Sequence, residues 1–346
     1  LSDRDITMEN ILNSIDGNIC RCTGYYSIKR AAEKILKIVG TGIDDKDRIS
    51  SLAGLSAIPD YFTEIPERLK GLTDSPDRDS ESKAKENTLY IGGGTDLLVS
   101  GPEKSGPDVR FISDIKNISD IFEDNNFIHL GAGSTVEDII DSEILNKHFP
   151  GISDFMYLIS SQIIRNTATL GGNIVNASPI GDLSVLFLVL DPVLDIKSGD
   201  GIREVLFKDF FKDYKVMDIE PGELILKMRI PLCQEMGFFN FEKVSRRKYL
   251  DIASCNSASC FYLEGDVIKK CDLSAGGVAP VPLYMKESST WLTGKEVSKE
   301  TMNNVIEVAM DEISPISDVR GSSDYKRELL RRLIKAHFVK LNGWLK

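Results

Sequence analysis

Three short stretches of this 346-residue chain concentrate the residue types that could do chemistry. The longest, Thr169-Leu170-Gly171-Gly172-Asn173-Ile174-Val175-Asn176-Ala177-Ser178-Pro179-Ile180-Gly181-Asp182, gathers small residues, amides, hydroxyls and one acid between two apolar segments. Paired glycines let a backbone approach a ligand closely and adopt positive φ, while Thr, Asn and Ser supply neutral hydrogen bonds and successive N–H groups can surround a phosphate. That chemistry is a nucleotide cradle. An ordinary glycine turn explains the same residues and stays open as the alternative. The second stretch, Tyr90-Ile91-Gly92-Gly93-Gly94-Thr95-Asp96-Leu97, places three glycines between apolar flanks and suggests another close backbone approach to a ligand. The third, Gly17 to Tyr25, carries Cys20 and Cys22. Two thiolates one residue apart at a helix start, with Arg21 between them to lower their pKa, can face a common metal centre. Incidental thiols are the alternative, because zinc would want two further ligands and no Cys or His lies between Cys22 and His129.

A dinucleotide fold of the Rossmann kind fits these glycines poorly. Its fingerprint is G-x-G-x-x-G opening a helix, with an acid about 20 residues on. Gly92-Gly93-Gly94 is followed instead by Thr95-Asp96 and soon by Gly101-Pro102, and Gly131-Ala132-Gly133 lacks the third glycine. A nicotinamide-dependent Rossmann dehydrogenase is therefore the disfavoured reading.

The chain as a whole bounds the partners. Its length predicts two or three domains with ample core. Lys and Arg total 42 against 53 Asp and Glu, a formal charge of −11 with no basic block, which argues against nucleic acid or an anionic membrane surface as partner. The longest strongly apolar run, Val185 to Leu190, is far short of the roughly 20 residues of a membrane span. No secretory signal is visible at Leu1, and six unevenly spread cysteines are no secreted disulfide framework. A soluble protein of a reducing compartment, the cytoplasm, is the expectation.

The elements that must position these stretches follow from periodicity. Ile28, Ala31, Ala32, Ile35, Leu36 and Val39 predict a helix stopped by Gly40. Residues 41–57 are polar and aperiodic, a linker; Pro59 to Leu72 holds a short helix, and Thr73 to Asn87 reads as a mobile loop. A strand at Phe127 to Leu130 precedes a helix over Ser134 to Leu145 capped by Ser134 or Thr135, and another helix spans Asp154 to Ile164. Leu183 to Leu190 is a buried helix or strand, and Leu224 to Ile230 alternates as a half-buried strand. Strands at Phe238 to Val244, Ala258 to Leu263 and Lys270 to Ala275, then helices at 302–313 and 325–341, make a separate α+β unit. Cys255, Cys260 and Cys271 read as buried thiols, and His129, His148 and His337 as isolated, so no residue is assigned to catalysis.

Taken in order, these motifs resemble a known family. From about Ile58 onward the chain resembles the FAD-binding subunit of the xanthine dehydrogenase and carbon monoxide dehydrogenase group, the molybdenum hydroxylases. The matches run Gly92-Gly93-Gly94-Thr95-Asp96, Ala168 to Ile174, Ser178 to Asp182, Phe210-Phe211 with Tyr214, Pro221 to Ile225, Lys243 with Arg246-Arg247, Asp251-Ile252-Ala253, Gly276 to Pro280 and Asp318-Val319-Arg320. Gly17 to Tyr25 resembles the end of that family's helical [2Fe–2S] domain, where a C-x-C supplies two of four ligands and an upstream pair the others.

The resemblance implies an α+β fold in four parts. They are a partial helical [2Fe–2S] domain (1–40), a linker (41–57), a vanillyl-alcohol-oxidase (PCMH) type FAD-binding domain of two subdomains (58–231), and a smaller α/β domain of the CO dehydrogenase flavoprotein C-terminal type (232–346). It implies that Tyr90 to Leu97 form one FAD loop and Thr169, Gly171, Gly172, Asn173 and Ile174 the other. Asp182 would take the FAD hydroxyls, Ile225 would pack near the flavin and Lys243 would reach the isoalloxazine. Cys20 and Cys22 would be metallated only with thiolates from before Leu1 or from another chain. The implied function is electron transfer through FAD, with a molybdenum-cofactor subunit and an iron–sulfur subunit or domain as partners and NAD+ as a candidate acceptor. A degenerate scaffold subunit without FAD is the rival.

Overall fold

A computed structural model describes residues 7–15, 26–39, 47–70, 88–100, 108–199, 201–232, 237–247 and 250–344. Cys20, Cys22 and the polar stretch 73–87 lie outside the described residues. The chain divides into two units, Leu1–Ser82 with Ser161–Ile163, and Lys83–Ser160 with Ile164–Lys346.

The first unit is helical, with α1 at Met8–Ile15, α2 at Tyr26–Val39, α3 at Arg48–Gly54 and α4 at Ile65–Lys70. Along α2, Ala32 is buried and Ile28 and Leu36 partly so, whereas Ile35 is exposed. Residues 48–54, expected as linker, are helical because the Asp47 carboxylate accepts the Ser50 N–H at 3.1 Å. A capping acid inside a run of charges is easily taken for a solvated one.

The second unit begins with β1 (Thr88–Ile91), α5 (Leu97–Ser100) and β2 (Asp108–Phe111), the two strands pairing in parallel. After β3 (Ile121–Glu123) and β4 (Phe127–Gly131), the single helix expected over Ser134 to Leu145 is two, α6 (Val136–Ile140) and α7 (Glu143–His148). Thr135 and Asp138 form a capping box on the first, and the Ser142 hydroxyl accepts the Leu145 N–H to start the second. A second cap interrupts an apolar period that would otherwise run on. The expected helix over 154–164 likewise splits, into α8 (Ile152–Met156) and α9 (Gln162–Arg165). The buried run after Asp182 is helical: α10 covers Leu170–Asn176 and α11 Asp182–Leu188.

Strands β5 (Val193–Ser198), β6 (Gly201–Leu206), the small β7 (Phe211–Asp213) and β8 (Val216–Met217) hairpin, and β9 (Leu224–Pro231) follow. A five-stranded antiparallel sheet forms in the order β3-β4-β9-β5-β6. Ile128, Leu130, Leu194, Ile196, Met228 and Ile230 from this sheet pack with Ile139, Leu145, Met156, Leu186 and Phe187 in one core.

A second antiparallel sheet, β10-β11-β12-β13, comprises Phe238–Val244, Cys255–Glu264, Val267–Gly276 and Leu283–Tyr284, with helices α12 (Lys286–Leu292), α13 (Lys299–Glu312) and α14 (Ser323–Trp344) after it. Alternate residues serve two cores. Phe238, Cys255, Phe261, Cys271 and Leu273 join Val305, Leu330, Ile334 and Phe338 from the helices, whereas Phe241, Ala258 and Cys260 close the core of the first sheet. This two-sided burial leaves Cys255 to Phe261 wholly inside, so the period-two polar face of an ordinary antiparallel strand is missing.

One polar network crosses the helix side of this sheet. The Asn240 amide donates to His337 Nδ1 at 2.7 Å, His337 Nε2 lies 3.1 Å from Ser257 Oγ, and that hydroxyl donates to the Ser274 carbonyl at 2.8 Å. Burial holds the His337 imidazole neutral, down to about pKa 4; the Lys340 charge adds to this and Glu242 opposes it. A base whose folded pKa is depressed loses stability as pH falls through its unfolded value. Between pH 6.5 and 4, folding should therefore weaken by up to ~1.4 kcal/mol per pH unit from this group. Urea unfolding at pH 7 and pH 5 checks it: the loss should shrink in His337→Gln, and an equal loss in both proteins would exclude His337 as its source.

Candidate FAD site

The two glycine stretches meet. A Cβ built on Gly92 would lie 2.5 Å from Thr169 Oγ1, and one on Gly93 only 1.7 Å from the Thr167 carbonyl oxygen. The close approach that demands glycine at these two positions is thus loop on loop, where the spacing alone suggested loop on ligand. Gly94 has φ +67° and turns the chain into α5, closed by the Leu98 N–H to the Gly94 carbonyl at 2.9 Å.

A third loop supports the second from behind. Gly171 N–H donates to the Ala132 carbonyl at 2.8 Å, Leu170 N–H to Ser134 at 2.9 Å, and Val136 N–H to Ala168 at 3.0 Å. Ala132 in turn donates to the Leu226 carbonyl of β9 at 2.9 Å. Gly131 and Gly133 are needed because the 118–120 segment crosses them, a Cβ on Gly131 falling 2.2 Å from the Ile118 carbonyl oxygen and one on Gly133 2.7 Å from the Ser119 hydroxyl. Thr169 caps α10 by accepting Gly172 N–H, and Gly172 itself faces open space beyond that hydroxyl.

The Ser178-to-Asp182 segment leads away from this cradle to the second sheet. Asn173 Oδ1 and the Ser184 hydroxyl, 3.4 Å apart, tie α10 to α11. Asp182 is the first residue of α11, and its N-cap is Gly181, which offers no side chain. The carboxylate does not cap its own helix. It accepts Lys243 Nζ at 2.6 Å on one oxygen and Asn256 Nδ2 at 2.6 Å on the other, while Lys243 also donates to the Leu158 carbonyl at 2.8 Å.

Lys243, Asn256 and Gly276 are direct cross-strand partners on β10, β11 and β12. A Cβ on Gly276 would lie 2.1 Å from Asn256 Oδ1, so the glycine makes room for the amide that holds Asp182. Gly277, at φ +81°, donates its N–H to the Pro179 carbonyl at 2.8 Å. Burial pushes the Asp182 carboxyl up from its ordinary value, against the nearby Lys243 charge and the hydrogen bonds from Lys243 and Asn256.

Comparison with known proteins decides what this architecture is. Residues 77–233 match the FAD binding domain in molybdopterin dehydrogenase, and residues 240–341 match the CO dehydrogenase flavoprotein C-terminal domain. The chain belongs to this flavoprotein family. It is 28% identical over 260 residues to the glyceraldehyde dehydrogenase medium chain of Sulfolobus acidocaldarius, covering 74% of this chain and 91% of that one. Human aldehyde oxidase is 24% identical over 402 residues, which span 98% of this chain and 30% of that protein. Among solved structures, reconstituted CO dehydrogenase from Oligotropha carboxidovorans superposes with a TM-score of 0.68 at 26% identity, over 73% of this chain and 91% of that chain.

FAD is the cofactor of this flavoprotein, and the residues present fit such a ligand. Two lone-pair positions of the Asp182 carboxylate remain after Lys243 and Asn256 are served. Asn256 Oδ1 is buried without a hydrogen-bond partner among the described residues. Of the residues singled out from sequence, Gly92, Gly93, Thr169, Gly171 and Gly172 come together in the loops, and Asp182 and Lys243 in one ion pair. Ile225 lies in the core of the first sheet, beside the Leu226 carbonyl that anchors the third loop. Sequence reasoning passed over Asn256 and the Gly131-to-Ser134 loop. Gly131-x-Gly133 after a strand was the signal for the loop, and it drew notice only as a failed Rossmann fingerprint. Among the described residues no group of three or more His, Cys, Asp and Glu could hold a metal, and no helix is long and apolar enough to cross a membrane.

The clamp makes a stability prediction. Lys243→Met leaves a buried carboxylate with the Asn256 amide alone, and should cost about 3–5 kcal/mol in denaturant unfolding. Adding Asp182→Leu should recover most of that loss, whereas a double variant as unstable as the single one would show that the pair is not the source.

Proposed function

We propose that this flavoprotein is the electron-transfer subunit of a molybdenum hydroxylase complex, receiving electrons from iron–sulfur centres and delivering them from FAD to NAD+ or another acceptor. Bound FAD supplies the redox chemistry, taking electrons singly and releasing them as a hydride. The chain's own residues bind and orient it. Ile91 to Leu97 and Thr169 to Ile174 hold the pyrophosphate and ribityl chain, the first loop through backbone N–H groups and Thr95, the second through the neutral side chains of Thr169 and Asn173, because the N–H groups of Leu170 to Asn173 already serve Ser134, Ala132 and Thr169. Asp182 accepts ribityl or ribose hydroxyls on its two remaining lone-pair positions, and Asn256 Oδ1 is the buried acceptor beside it. Lys243, ion-paired to the same carboxylate, would hold it in place and reach toward the isoalloxazine.

The observation that supports this best is the interlock itself: Gly92 on Thr169 and Gly93 on Thr167 make one wall of two loops far apart in sequence. Medium chains of a glyceraldehyde dehydrogenase and of a carbon monoxide dehydrogenase among the similar proteins support a multi-chain assembly, with the molybdenum-cofactor and iron–sulfur groups on partner chains. The alignment to aldehyde oxidase takes in nearly the whole N-terminal unit, which supports assigning Cys20 and Cys22 as two ligands of a [2Fe–2S] centre completed by further thiolates. Buried thiols at Cys255, Cys260 and Cys271 fit a cytoplasmic, reducing setting.

An absorbance spectrum of the purified chain, before and after acid precipitation, tests the cofactor role. Flavin bands released into the supernatant are expected, and their absence even after reconstitution with FAD would leave the scaffold reading standing. Asp182→Ala should lower flavin occupancy, measured as the ratio of flavin to protein absorbance; full occupancy would remove Asp182 from the site.

A further inference from the structure

Segment 165–169 reaches the cradle held by three consecutive residues. Thr135 pairs with Thr169 in an isolated β-bridge, Val136 N–H donates to the Ala168 carbonyl at 3.0 Å, and Glu137 Oε2 accepts Arg165 Nε at 2.8 Å. The first two contacts are backbone. The third is a pair of charges taken out of water, Arg165 being 2% and Glu137 6% exposed. Arg165 Nη1 also donates to the carbonyls of Ile159 and Ser160, each at 3.2 Å, and the Tyr157 ring centroid lies 5.4 Å from the guanidinium carbon.

A desolvated pair like this adds little net stability over apolar side chains of the same volume. What it supplies is geometry, because the planar guanidinium fork admits only one arrangement of three acceptors. Inside the span that it pins lies Thr167. The N–H groups of Thr167 and Ala168 both donate to the Ile164 carbonyl, at 3.0 and 2.7 Å, closing a tight turn directly onto Arg165. Thr167 cannot shift unless that turn shifts, and its carbonyl is the atom against which Gly93 is packed.

We infer that Arg165 and Glu137 are positioning residues for the cofactor: through the Thr167 carbonyl they set the spacing of the two glycine loops and hence the affinity for FAD. This rests on the cradle reading given under Proposed function. Neither side chain need touch the ligand.

The test uses the full chain with FAD as probe, reading the dissociation constant by flavin fluorescence and the melting temperature of the apoprotein. Glu137→Leu with Arg165→Met replaces the pair by apolar side chains and should melt near the wild-type temperature. Its FAD dissociation constant should rise by about tenfold or more. Gly93→Ala should then weaken FAD less in this background than in wild type, because the Thr167 carbonyl is free to yield. An unchanged dissociation constant, or Gly93→Ala losses that simply add, would overturn the proposal. If the double variant does not fold, Arg165→Lys keeps the charge and loses the fork: weaker FAD at an unchanged melting temperature supports the inference, and unchanged FAD affinity defeats it. Wild-type protein that takes up no FAD refutes the cradle reading itself, a result distinct from intact binding by the variants.

Discussion

The carboxylate of Asp182 is the constraint around which both halves of the flavoprotein are arranged. A buried anion costs several kcal/mol in lost hydration unless donors meet it at good geometry. Here they come from another sheet, Lys243 and Asn256 at 2.6 Å each, while the anion itself starts a helix packed on the first core. The clamp forms only if α11 enters at one height and β10 and β11 pair in one register. A slip of one residue would turn Lys243 to the helix side and bring Glu242 toward the acid, placing two carboxylates together. The clamp is therefore better understood as a device for specificity than as a source of net stability.

The glycines tell a related story about what small residues are for. Gly92, Gly93, Gly131, Gly171 and Gly276 each lack a side chain because another part of the protein occupies its place. At Gly172 the only neighbour among the described residues that a Cβ would meet is the Thr169 hydroxyl, at 2.9 Å. Glycine backbone with a few short polar side chains is the kind of lining that can follow a pyrophosphate closely. An acidic chain of net charge −11 binds an anionic cofactor more easily through neutral N–H groups than through its overall field.

Much of this was legible in the residues, and the failures have physical causes. Order and spacing of the glycine motifs were enough to give the family, and the alternation of Leu224 to Ile230 gave β9. The ends of β11 and β12 were cut short at Ala258 and Ala275 because Asn256, Ser257 and Gly276 look like loop residues, yet each is buried with its partner supplied from a distant segment. No local pattern encodes a hydrogen bond to Asp182 or to His337. Ser142 ended one helix and began another for the opposite reason: its partner is local, but a serine in an apolar period reads equally well as a solvent-facing position. An acid at a helix start ordinarily caps it, and only Gly181 in the cap position shows that Asp182 does not.

The same two strands carry polar groups on both faces, and this bears on why the second domain is built as it is. On the helix side Asn240, Ser257 and His337 form one network; on the other, Lys243, Asn256 and Asp182 form the clamp. Asn256 and Ser257 are sequence neighbours pointing opposite ways, so a shift of β11 by one residue would strand both sets of buried donors and acceptors at once. A sheet buried on both faces by apolar residues alone would tolerate such a shift more readily, since Phe, Cys and Ala fill either core. Polar partners on two faces give each register error a double cost, and in this way the distance from the helix-side core to the Asp182 carboxylate is fixed by the pairing of β10 with β11.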